Sequence, residues 1–101
     1  MIIVRGTAHF AAGEIDRLRP QLNDYADTVR NREGCLGYCY AVDLGNTNCL
    51  HVIESWGDQA ALDAYLADLG DLMNILGGAK MEVVSVKAYE AEFLKTVLGE
   101  E

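Results

Sequence analysis

The stretch CLGYCYAVDLGNTNCLHVIESWGDQAALDAYL (residues 35–66) decides the fold. Its opening, CLGYCYAVD (35–43), is rich in β-favouring side chains and reads as a strand. LGNTN (44–48) has turn composition, and CLHVIESW (49–56) is a second strand, so the two form a hairpin. Gly57 breaks that strand, and Asp58 is placed to cap a helix with its carboxylate. From there Leu62, Tyr65, Leu66, Leu69, Leu72, Met73 and Leu76 recur in a three-and-four pattern, which predicts one amphipathic helix over 59–76. Gly70 is placed to bend it and Gly77-Gly78 to stop it.

Working outward, residues 2–9 alternate loosely and are rich in Ile and Val, a strand. From Glu14 to about Arg32, Ile15, Leu18, Leu22, Tyr25 and Val29 form a single apolar stripe, the mark of an amphipathic helix. Pro20 falls inside it, so the helix either kinks there or begins near it. MEVVSVKAY (81–89) is the last strand. The order β-α-β-β-α-β predicts an α+β, ferredoxin-like domain over residues 1–90: a four-stranded antiparallel sheet with two helices on one face. Residues 91–101 form a tail with Phe93, Leu94, Val97 and Leu98, suited to a short helix or to an arm on a partner.

An antiparallel sheet normally shows polar residues on its open face. Here both registers of residues 35–42 are free of charge: Leu36, Tyr38, Tyr40 and Val42 on one, Cys35, Gly37, Cys39 and Ala41 on the other. Two dry faces predict that the face without helices meets the sheet of an identical chain, a homodimer. Arg5 and Glu54, in strands that neighbour each other, are candidates for a cross-strand ion pair, unless Glu54 reaches another donor.

Composition excludes several classes. The chain has 101 residues, one domain's worth, and a net charge of −8, which disfavours nucleic acid and anionic membrane surfaces. The start MIIVRGTAHF lacks a signal-peptide pattern, and no 18-residue apolar run is present to cross a bilayer. Three cysteines, Cys35, Cys39 and Cys49, are an odd number in a spacing that suits neither a zinc knuckle nor a redox pair. With His9 and His51 in separate segments, no metal site is expected, and reduced thiols in a cytoplasmic protein are the default. No serine elbow, phosphate-cradling loop or paired-carboxylate arrangement is present in the sequence, so acyl and phosphoryl transfer lack their usual parts.

The remaining candidates are aromatic. Tyr65 stands on the helix stripe, either a core tyrosine or a phenol lining a gap between helix and sheet. Trp56 is a core anchor or a flat wall for an aromatic ligand. His51 lies in the register opposite Val52 and Glu54; if it faces a cavity, its ordinary pKa near ~6.5 suits a base.

EGCLGY (33–38), the hairpin, and then IESWGDQAALDAY (53–65) resemble the antibiotic biosynthesis monooxygenase family of dimeric α+β barrels, over about residues 2–90. The resemblance implies a homodimer whose two sheets close a barrel, with a ligand cavity in each subunit between helices and sheet. It implies a monooxygenase that oxidises a small phenolic or quinol aromatic with O2 and no cofactor, the substrate itself supplying electrons to O2. Tyr65 and His51 would then be the catalytic pair, with Tyr38, Trp56, Leu62, Leu66 and Leu69 around the substrate. Many relatives carry histidine where Tyr65 and Gly70 stand, which disfavours haem binding here. The same barrel would also serve a non-catalytic aromatic-ligand binder or stress-associated dimer, or a polyketide-type cyclase or isomerase.

Overall fold

The computed structural model describes residues 1–99; the last two residues of the tail, 100 and 101, lie outside the described residues. Strand β1 (Ile2–Phe10) leads to helix α1 (Glu14–Arg30), then β2 (Cys35–Asp43), β3 (Asn46–Trp56), α2 (Gln59–Leu66), α3 (Gly70–Leu76) and β4 (Met81–Glu90). The strands form one antiparallel sheet in the order β2-β3-β1-β4, the ferredoxin-like arrangement the sequence predicts.

Helix α1 buries Ile15, Leu18, Leu22, Tyr25, Ala26 and Val29, the expected stripe with one addition. It runs unbroken through Pro20, which stands on its exposed side where a missing N–H is tolerated by water. Asp58 caps α2 by accepting from the Ala61 amide at 2.8 Å. The single helix expected over 59–76 is in fact two. Helix α2 closes with the amides of Ala67 and Asp68 bonded to the carbonyls of Asp63 and Tyr65, and a new helix starts at Gly70. The apolar repeat continues across the break, with Leu69, Leu72 and Ile75 packed against the core. Residues 91–99 form neither helix nor strand, so the tail helix the sequence allowed is absent among the described residues.

Gly34 joins the two layers. Its φ is +81°, a region that disfavours side chains, and a Cβ there would lie 2.5 Å from that of Ala61. Its carbonyl accepts from the Gly57 amide at 2.8 Å, which holds the start of α2 to the end of α1. Gly34→Ala is therefore expected to cost about 2–4 kcal/mol in strain and overpacking, read by urea denaturation. A loss below about 0.5 kcal/mol would contradict this account of the junction.

The pairing of β1 with β4 shifts between Thr7 and Ala8: Thr7 opposes Ser85, whereas Ala8 opposes Val83. Val84 is the extra residue of this bulge. The bulge lets Val83 and Val86, three apart on one strand, line the same space on the helix side. That space is the candidate site.

Candidate functional site

Strand parity selects the side chains that look toward the helices. In the hairpin, Tyr38 opposes Glu54, Tyr40 opposes Val52 and Val42 opposes Leu50. Trp56 continues the same face of β3 and Val4 opposes Glu54 from β1, so this face is apolar except for two phenols and one carboxyl. Above it α2, α3 and the link between them hold Tyr65, Leu66, Leu69, Leu72, Met73 and Leu76 over a chamber of about 320 Å³. Gly6 forms part of the floor with bare backbone; a Cβ there would come within 2.8 Å of side-chain atoms of Val52 and Val86. The chamber opens where no helix covers β4, past half-exposed Leu66, Met73, Val83 and Val86.

The polar groups of the chamber are organised. The hydroxyls of Tyr25 and Tyr65 lie 2.9 Å apart, those of Tyr65 and Tyr38 3.0 Å, and those of Tyr38 and Tyr40 2.7 Å. These four phenols come from α1, α2 and β2. Three hydrogen bonds among four hydroxyls use three protons, so one hydroxyl of the row retains a spare donor. With the row directed from Tyr25 to Tyr40, that donor is Tyr40, which lines the chamber. Burial raises the pKa of all four phenols, that of Tyr40 to about 12. They are neutral at physiological pH, donors and acceptors rather than bases.

Glu54 is the one buried charged residue of the described core. It accepts a hydrogen bond from Trp56 Nε1–H at 3.0 Å through Oε1. Burial pushes its carboxyl above the usual carboxylate range, with the Trp56 bond opposing in part. A carboxyl poised this way, on the wall of an apolar chamber, is a better proton acceptor than an ordinary exposed carboxylate. Trp56 is itself fully buried and stacks on Tyr65 with ring centroids 5.0 Å apart. On the solvent side Arg32 lies 5.6 Å from the Tyr65 ring centroid and pairs with Asp68 at 3.0 Å. Tyr65 is thus fixed by a ring behind it, two hydroxyls and a cation above it.

The sequence profile of the antibiotic biosynthesis monooxygenases matches residues 1–68, a span containing Tyr38, Tyr40, Glu54 and Tyr65. The chain belongs to the antibiotic biosynthesis monooxygenase family. Among solved structures it is similar to a candidate antibiotic biosynthesis monooxygenase of Deinococcus radiodurans, with 27% identity and a TM-score of 0.87, covering 98% of this chain and 100% of the other. A second structure, described as an antibiotic biosynthesis monooxygenase, shares the fold at 24% identity and TM-score 0.78, covering 91% and 99% of the two chains. A conserved protein of Methanosarcina mazei shares it at 18% identity and TM-score 0.80, covering 90% and 92%. Among curated proteins no match to this chain is found.

Within this family member the expected site residues divide into three groups. Tyr65, Tyr38, Leu66 and Leu69 line the chamber. Trp56 and Leu62 do not; both are core residues packed in the cluster that supports Tyr65. His51 is not brought to Tyr65 at all. It has the parity of Cys49 and Ile53 and so emerges on the opposite face of the sheet, where Nε2 lies 2.8 Å from Asp43 and Nδ1 3.2 Å from Thr7 Oγ1. The same parity separates Glu54 from Arg5: Arg5 opposes Ile53, and Glu54 bonds Trp56 instead. Glu54 and Tyr40 are the functional candidates that sequence reasoning missed. Their signal was an acid and a phenol sharing the register of Trp56 and Tyr38.

Proposed function

We propose that this chain is a cofactor-independent monooxygenase that oxidises a small phenolic or quinol aromatic with O2. The observation that carries the reading is the chamber itself: an apolar hollow under α2 and α3 whose wall holds a row of phenols and a buried carboxyl. Its volume, about 320 Å³, is roughly twice that of an apolar cavity that takes benzene, so a two- or three-ring aromatic suits it.

In this reading Glu54 accepts the phenolic proton through Oε2, the oxygen Trp56 does not hold, and the spare proton of the tyrosine row supports the phenolate oxygen. The phenolate gives an electron to O2, and the resulting pair joins at a ring carbon as a hydroperoxide. Loss of water leaves a carbonyl there. A phenol with a hydrogen at the reacting carbon plus O2 becomes a quinone plus one water, the substrate supplying all four electrons. The apolar walls keep bulk water from the intermediates.

The same proposal includes a homodimer formed through the sheet face without helices and a reducing, cytoplasmic setting. Half-exposed Ile53 and Tyr89 and the exposed tail residues Phe93, Leu94, Val97 and Leu98 support the first, and three free cysteines the second.

Oxygen uptake with a panel of hydroquinones and naphthols tests the activity. Substrate-dependent uptake is expected, with one atom of labelled O2 in the product. Val86→Phe, which narrows the mouth at an exposed edge-strand position, is expected to lower it about tenfold or more without changing the melting temperature. Uptake that is absent across the panel, or indifferent to Val86→Phe, contradicts the reading.

A further inference from the structure

The face of the sheet opposite the chamber carries a second arrangement that the oxidation chemistry does not use. Asp43 ends β2, a two-residue turn follows, and Cys49 and His51 lie two apart on β3, hence on one face. The β2–β3 register shifts between Val42 and Asp43, so Asp43 is carried out of the regular pairing at the hairpin end. His51 Nε2 is 2.8 Å from Asp43 Oδ2 and 3.8 Å from Cys49 Sγ, and one ligand atom from each of the three residues lies within 4.8 Å of the others.

We propose that Asp43, Cys49 and His51 form a binding site for a borderline divalent transition metal, of the class of Zn²⁺ and Co²⁺. Thr7 Oγ1 lies 3.2 Å from His51 Nδ1, and with Nδ1–H donating to it Nε2 is left as a bare lone pair. In that tautomer the lone pair faces a carboxylate oxygen and a metal ion between them satisfies both; in the other, Thr7 Oγ1–H donates to Nδ1 and Nε2–H donates to Asp43 Oδ2, the metal-free arrangement that the ion displaces. A proton bridges those two atoms but cannot also serve the sulfur 3.8 Å away, whereas a metal ion binds all three. Asp43 Oδ1 accepts the Gly45 amide at 2.7 Å, which anchors the carboxylate in the turn with Oδ2 turned to His51.

Bonds of ~2.3 Å to sulfur and ~2.0–2.2 Å to nitrogen and oxygen, in a tetrahedron, place donors roughly 3.3–3.6 Å apart. The separations of 2.8 and 3.8 Å bracket that range, and all three ligand atoms lie within 4.8 Å of one another. Thiolate, imidazole and carboxylate together suit zinc or cobalt and not calcium or magnesium, which take oxygen ligands. Cys49 is buried while Asp43 and His51 are partly open in the single chain. The metal would tie the hairpin end to β1 through Thr7. The sequence did not reveal this site because its donors follow no short motif: they meet only when a strand end folds against its neighbour.

Titration of metal-free protein with Co²⁺ tests the proposal. One equivalent is expected to raise a thiolate-to-cobalt charge-transfer band with tetrahedral visible bands, and Zn²⁺ is expected to displace it. Cys49→Ser removes the charge-transfer band, while Cys35→Ser and Cys39→Ser retain it; Asp43→Asn and His51→Gln weaken binding. Thr7→Val weakens it by about tenfold. Zn²⁺ is also expected to raise the melting temperature of the native chain and not of Cys49→Ser, with far-ultraviolet circular dichroism confirming that each variant is folded. A missing charge-transfer band, a band lost equally with Cys39→Ser, or a melting temperature indifferent to Zn²⁺ overturns the proposal and leaves the cluster as a proton-bridged His51–Asp43 pair.

Discussion

Replacing Glu54 with Gln is expected to lower kcat for aromatic oxidation by about 100- to 10,000-fold, the usual worth of a positioned base. Gln keeps an acceptor for Trp56 Nε1–H, so the packing around Tyr65 is retained and ring binding changes little. What is lost is the proton acceptor. The pH profile separates the two effects. Burial raises the Glu54 pKa, so the native protein's kcat/KM is expected to climb through an apparent pKa above the ordinary glutamate value of ~4.3, and the variant lacks that limb. Stability moves the other way. Between the ordinary and the raised pKa the folded chain binds more protons than the unfolded one, so unfolding free energy falls as pH rises across that window. Glu54→Gln removes this component, and its urea midpoint at neutral pH is expected to equal or exceed the native one. A variant as active as the native protein, or one with an unchanged rising limb, would remove Glu54 from the chemistry.

Trp56→Ala is expected to be the most damaging single change to stability, by about 3–5 kcal/mol. The ring is fully buried, stacks on Tyr65 and gives Glu54 its hydrogen bond. Removing it opens a cavity beneath α2 and leaves a buried carboxyl without that donor. Domains of this size hold only about 5–15 kcal/mol in total, so partial unfolding at 37 °C is within reach. Urea denaturation measures the loss, with Leu66→Ala as the comparison: Leu66 is half-exposed at the chamber mouth, and its loss is expected to be much smaller. Equal losses for the two variants would mean that Trp56 is not the anchor of the site.

Element order and sheet topology could be read from the sequence because each segment carries its own period: a three-and-four repeat in α1 and in 59–76, and β-favouring runs closed by Gly and Asn turns. The break between α2 and α3 escaped because the apolar repeat runs straight through it; only the backbone at 67–69 departs from helix. Tyr65, Tyr38, Leu66 and Leu69 line the chamber, and their faces follow from parity and helical period. His51 was paired with Tyr65 as a residue type suited to base catalysis, against the parity that sets it on the far face with Asp43 and Thr7. The row of four hydroxyls could not be foreseen. Tyr25 and Tyr65 are 40 residues apart, and their meeting depends on how α1 and α2 cross the sheet.

The central claim is that an aromatic ring occupies the hollow under α2 and α3 with an oxygen at Glu54. The most direct measurement is a crystal structure of the protein soaked, without oxygen, in a two-ring quinol. The expected result is a ring beneath Leu69 and Leu72 with one hydroxyl within about 3.2 Å of the Glu54 carboxyl. A hollow closed by those leucines, or a ring bound on the opposite face of the sheet, would contradict it.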